Sequence, residues 1–93
     1  MGKMFCVMGS VQRTRPDGYV QISETPTFYL SANVQGILDE EHACRVAFHV
    51  IAPNRIPASS ETVKNTYANP VATITTQTTD GETVIISAMA VLL

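Results

Sequence analysis

The stretch Asp39 to Pro53, DEEHACRVAFHVIAP, decides whether this chain is all-β or α+β, because two periods fit it. At about 100° per residue Ala43, Val46, Ala47 and Val50 follow helical spacing, and His42, Arg45 and His49 gather within about 60° of arc on another sector. At about 180° per residue Cys44, Val46, Phe48 and Val50 alternate acceptably with Arg45, Ala47 and His49. The ends favour the helix. Asp39 is placed to accept free backbone N–H groups, Glu40 and Glu41 sit where the helix dipole favours negative charge, and Pro53 closes the run. A hairpin would instead want Gly or Asn in its turn, and LDEEHA has neither. The expectation is a helix over Asp39 to Ala52, with Ala43, Val46, Ala47 and Val50 packed inward.

Upstream of this segment the chain reads as strands. Met4 to Arg13 is rich in Met, Phe and Val, and runs into Arg15-Pro16-Asp17-Gly18, a turn signal. Tyr19 to Ser23 continues as a short strand, interrupted at Thr25-Pro26 because proline cannot donate to a ladder. Phe28, Leu30, Ala32 and Val34 then alternate with Tyr29, Ser31, Asn33 and Gln35, predicting a half-buried strand of eight residues.

Downstream, Pro53 to Pro70 holds three prolines and many small polar residues, and reads as a connector with room for one helical turn after Ser60. Val71 to Thr78 and Glu82 to Leu93 flank Asp80-Gly81 and read as a hairpin. A two-residue turn would pair Thr78 with Thr83, Gln77 with Val84 and Thr75 with Ile86. In the last strand Val84, Ile86, Ala88, Ala90 and Leu92 point one way, and Ile85, Met89, Val91 and Leu93 the other. Both faces are apolar, and both want cover.

The resulting expectation is a single α+β domain over residues 1–93. Its antiparallel sheet has about five strands with one helix on one face, in the order β-β-β-α-β-β. A small all-β barrel is the alternative, adopted if the central segment is a strand.

Composition narrows function by exclusion. Only 15% of the 93 residues are charged and 45% are hydrophobic, where a soluble domain carries about 25% charged. The surface is therefore unusually uncharged. Six basic and eight acidic residues give a net charge of −2 and a pI near 5.5, which removes the bulk attraction on which sequence-independent nucleic-acid binders depend. Cys6 and Cys44 cannot build a disulfide framework, and no cysteine and histidine spacing suits zinc, so a reduced cytoplasmic setting and no cofactor are expected. The first residues, MGKMFCVMGSVQ, lack the features of a signal peptide, and Cys6 stands where myristoylation would want Ser or Thr. The most apolar run, Val84 to Leu93, is half the length a membrane-spanning helix needs.

No GxSxG, GxGxxG, P-loop or HExxH motif is present, and both cysteines sit among apolar neighbours without a paired base. The leading expectation is a non-catalytic, self-associating binding module. Its sheet face, with Ile85, Met89, Val91 and Leu93, would meet a second copy in a homodimer. The second is a ligand pocket, enzymatic or not, between helix and sheet, with His42, Arg45 and His49 at its rim receiving a small anion. A weak single-stranded nucleic-acid binder is the third, with Arg13 and Arg15 beside the first turn and Tyr19 and Tyr29 as stacking faces. Five threonines among residues 73–79 read as a solvated strand rather than a site.

Overall fold

The first strand, β1 (Met4–Thr14), organises the sheet because it is paired along both edges. In this computed structural model, which describes residues 2–68 and 70–93, one edge of β1 pairs with β6 (Thr83–Leu92) from Phe5↔Leu92 to Thr14↔Thr83. The other edge is shared. β3 (Phe28–Ser31) pairs the beginning of β1 and β2 (Val20–Glu24) pairs its end. Between them Thr25-Pro26-Thr27 passes over Gly9, and the Thr25 N–H donates to the Gly9 carbonyl at 2.9 Å. A Cβ at residue 9 would stand 2.6 Å from Thr25 Oγ1, 2.8 Å from Ile51 Cδ1 and 3.0 Å from the Ser87 carbonyl oxygen. A larger residue there would have to displace the Thr25 and Ile51 side chains, so glycine suits the close approach.

From β3 the chain makes one helical turn, α1 (Ala32–Gln35), and enters α2 (Glu40–Ile51), which crosses one face of the sheet to the far edge. There β4 (Glu61–Ala68) pairs with β5 (Val71–Gln77), which returns to β6. The strand order is β2-β1-β6-β5-β4, antiparallel throughout. The outer edges do not pair with each other, so the sheet is open and the barrel alternative is not adopted. The fold is α+β, with one long helix on one face.

The ends of the helix behave as the residues dictate. Asp39 Oδ1 accepts from the His42 N–H at 2.8 Å, and Glu40 and Glu41 occupy the first turn. Replacing Asp39 with alanine should lower stability by about 1 kcal/mol. Urea denaturation should show an earlier midpoint with an unchanged slope.

Four local readings need correction. The helix is rotated from the expected setting: Ala43, Cys44, Ala47, Phe48 and Ile51 face the sheet, while Val46 is half-buried and Val50 is 54% exposed. The two largest apolar side chains, Phe48 and Ile51, take the interior. The eight-residue strand stops at Ser31, and Val34 is 79% exposed on α1. That turn is held by the Ser31 N–H on Gln35 Oε1 at 2.8 Å and the Ile37 N–H on the Ala32 carbonyl at 3.0 Å. The connector contains a whole strand, β4, where a helical turn was expected. Its residues show no alternation because it is an outer strand, wet on most of its surface.

The last hairpin is one residue out of the expected register. Gln77 pairs with Thr83 and Thr75 with Ile85, because the loop has three residues, Thr79-Asp80-Gly81. It is closed by the Thr78 N–H on the Glu82 carbonyl (2.9 Å) and the Gly81 N–H on the Thr78 carbonyl (3.1 Å). Gly81 has φ 89°, the conformation such a loop requires of its last residue. The Asp80 carboxyl sits below its usual range because the Thr78 hydroxyl donates to it. Gly81→Val should destabilise by about 1 kcal/mol or more and lower the melting temperature.

The core lies between α2 and the inner sheet face, around Phe5, Val7, Ala72, Ile74, Val84 and Ile86. The connector adds Ile56, and β4 adds Tyr67. Cys44 is buried here, and burial pushes its thiol above the ordinary value, a shift that Arg45 opposes and Glu41 reinforces. The unfolded thiol ionises first, so this contribution to stability falls as pH rises from the ordinary thiol range through the raised value. Iodoacetamide at neutral pH should spare the buried Cys44 until the protein unfolds, as peptide mass spectrometry would record. The helix covers one face only, and the extents of 50 × 20 × 19 Å leave an accessible surface of 5706 Å². A compact chain of this mass would show about 5,300 Å².

Candidate functional site: the open face of the sheet

Side chains alternate along a strand, so the pairing registers fix which residues share the face opposite α2. Across β1 and β6 the rows on that face are Cys6 with Val91, Met8 with Met89, Ser10 with Ser87, and Gln12 with Ile85. β5 extends three of them with Val71 beside Met89, Thr73 beside Ser87 and Thr75 beside Ile85. None of these residues carries a formal charge at neutral pH. Charged side chains on this face belong to the outer strands: Glu24 on β2, and Glu61 and Lys64 on β4.

An apolar cluster of Met8, Met89, Val71 and Val91 therefore lies on one side of a row of small hydroxyls, and Ile85, between Gln12 and Thr75, lies on the other. Over the hydroxyl row lies an open depression of about 330 Å³, lined by Met8, Gly9, Ser10, Ser87 and Met89, with Val71 at one end and Glu24, Thr25 and Thr27 at the other. Its lining is mainly apolar. Met8 is 36% exposed, a large value for a side chain in the middle of an inner strand, and Val91, near the end of β6, is 38% exposed.

The sequence placed Ile85, Met89 and Val91 on one face of the last strand, and the structure puts that face opposite the helix. Leu93 lies just beyond β6, its N–H donating to the Met4 carbonyl at 2.9 Å, with its side chain exposed. Sequence reasoning missed Met8, Ser10 and Ser87. Their alternation was legible, but their meeting depends on the pairing of β1 with β6, which joins opposite ends of the chain.

His42, Arg45 and His49 do lie along one side of α2, engaged locally. His42 is half-buried, and its Nδ1 accepts from the Leu38 N–H at 3.1 Å. Arg45 reaches Glu41 at 3.3 Å and lies over the Tyr67 ring at 4.6 Å from its centroid. Tyr67 packs edge-on against Phe48, with ring centroids 5.4 Å apart, and the exposed His49 ring lies 6.2 Å from Phe48. The open-face depression contains none of the three. His42 and Cys44 diverge, the thiol pointing into the core.

The basic residues of the first turn also have partners. Arg13 pairs with Glu82 at 3.5 Å, and Arg15 pairs with Asp17 at 3.3 Å while covering the Tyr19 ring at 4.5 Å. Tyr29 is exposed at the open-face position beside Cys6. No helix among the described residues is long and apolar enough to cross a membrane. No family model, curated protein or solved structure matches this chain.

Proposed function

We propose that this chain is a non-catalytic assembly module that forms a homodimer by packing the open face of its sheet against the same face of a second copy. The observation that carries this reading is the charge-free centre of the face, where β1, β6 and β5 carry Met8 and Val91 exposed and Met89, Val71 and Ile85 half-buried, with no helix over them. Charge depletion at the centre with charge at the rim is the composition of protein interfaces. A second copy fits it particularly well, because a chain with 15% charged residues meets no repulsion from its own uncharged face.

Size agrees with this reading. Strands about 4.8 Å apart rising about 3.3 Å per residue give a five-stranded face of this length roughly 600–800 Å². A standard interface buries about 800 Å² per partner. Two unpaired cysteines suit a reducing compartment such as the cytoplasm.

Static light scattering at micromolar concentration tests the proposal. The expected mass is twice the chain mass of 10.1 kDa, falling toward the monomer on strong dilution. A single-chain mass at every concentration would overturn it.

A further inference from the structure

Resting on the dimer reading, we propose that the two copies interlock by rows. The two-fold axis runs across the strands midway between the Met8–Met89 row and the Ser10–Ser87 row, so that the methionines of each chain enter the depression over the serines of the other.

The geometry starts from the registers. Met8 lies directly opposite Met89, and Ser10 directly opposite Ser87, on neighbouring rows of one face. Rows on one face of a sheet repeat every second residue, about 6.6 Å. A ridge of long side chains thus stands one row from a trough of short ones, and the depression of about 330 Å³ marks that trough.

A two-fold axis lying in the interface plane reverses position along the strands. When it passes between the two rows, it carries each methionine row onto the partner's serine row. It also lays β1 over β1 and β6 over β6, with their directions opposed. Met8 then meets Ser10 of the second copy, and Met89 meets Ser87 of the second copy. Every ridge finds a trough, because symmetry repeats each contact.

An axis parallel to the strands lacks this property. It would set methionine against methionine and serine against serine, leaving one pair of rows crowded and the other void. Aligned packing of two sheets about 10 Å apart requires the inner side chains to interdigitate, which the first arrangement does. Methionine suits the task, since its unbranched thioether adapts to an irregular cavity. The outer rows then pair Cys6 with Gln12 of the second copy, which brings no two charges together.

Complementation tests the register. One variant fills the trough (Ser10→Met with Ser87→Met), and another removes the ridge (Met8→Ala with Met89→Ala). Each alone sets ridge against ridge or gap against gap, and its dissociation constant, measured by sedimentation equilibrium, should rise at least tenfold over the wild type. Mixed in equal amounts, the filled trough meets the missing ridge while the remaining ridge meets the remaining trough. A heterodimer near wild-type affinity is expected.

If the wild type dimerises but the mixture binds no better than the separate variants, the register is wrong and the dimer reading survives. A wild type that stays monomeric overturns both. Circular dichroism reports the fold of each variant. Should the double variants fail to fold, Ser87→Val mixed with Met89→Ala makes the same comparison on β6 alone.

Discussion

Phe5→Ala should remove about 3–5 kcal/mol of stability, the range for truncating a buried phenylalanine. Phe5 is 1% exposed, pairs with Leu30 on one side and Leu92 on the other, and belongs to the core beneath α2. Its neighbours are held by ladders on both edges of β1, so the site cannot collapse readily around the cavity. A domain of this length has about 5–14 kcal/mol in total, and the variant should unfold at a much lower urea concentration. Val50→Ala, on the exposed side of the helix, should change stability by less than about 0.5 kcal/mol. Equal effects for the two would contradict the observed rotation of the helix.

Met89→Glu should separate the two copies of the proposed dimer while leaving each chain folded. In the free chain residue 89 is half-buried on the open face, where a carboxylate can reach water. In the dimer the carboxylate would be buried twice, once for each chain. With about 1–3 kcal/mol for each of the two uncompensated groups, association should weaken by at least about 2 kcal/mol, a factor of roughly thirty. Sedimentation velocity should show the monomer at concentrations where the wild type is dimeric, with unchanged far-ultraviolet circular dichroism. Undiminished association would place the contact surface elsewhere.

Particular residues show why some of this was legible in the sequence and some was not. Asp39, the two glutamates after it and Pro53 carry the ends of α2 in local chemistry, so the helix could be read from one segment. Its rotation could not, because Val46 and Val50 fit the same spacing as Phe48 and Ile51, and packing against the sheet chooses between them. β4 was invisible since Glu61, Lys64 and Asn65 are wet on an outer strand and leave no alternation. The slip at Asp80-Gly81 arose because that dipeptide suits a two-residue loop as well as the three-residue loop found. For the candidate site, the parity of Ile85, Met89 and Val91 follows from strand geometry alone. The apolar cluster around Met8 and Met89, and the trough beside it, required a pairing between the two ends of the chain that no local pattern encodes.

The most direct measurement of the assembly claim is an isotope-filtered nuclear Overhauser experiment on an equimolar mixture of labelled and unlabelled protein. Only contacts between chains survive the filter. If the open faces meet, methyl groups of Met8, Ile85, Met89 and Val91 should show transfer to protons of the partner, while Val50 on the exposed side of the helix should show none. Transfer absent from those four methyls at a concentration where the protein is dimeric, or confined to α2 and the sheet edges, would contradict the account.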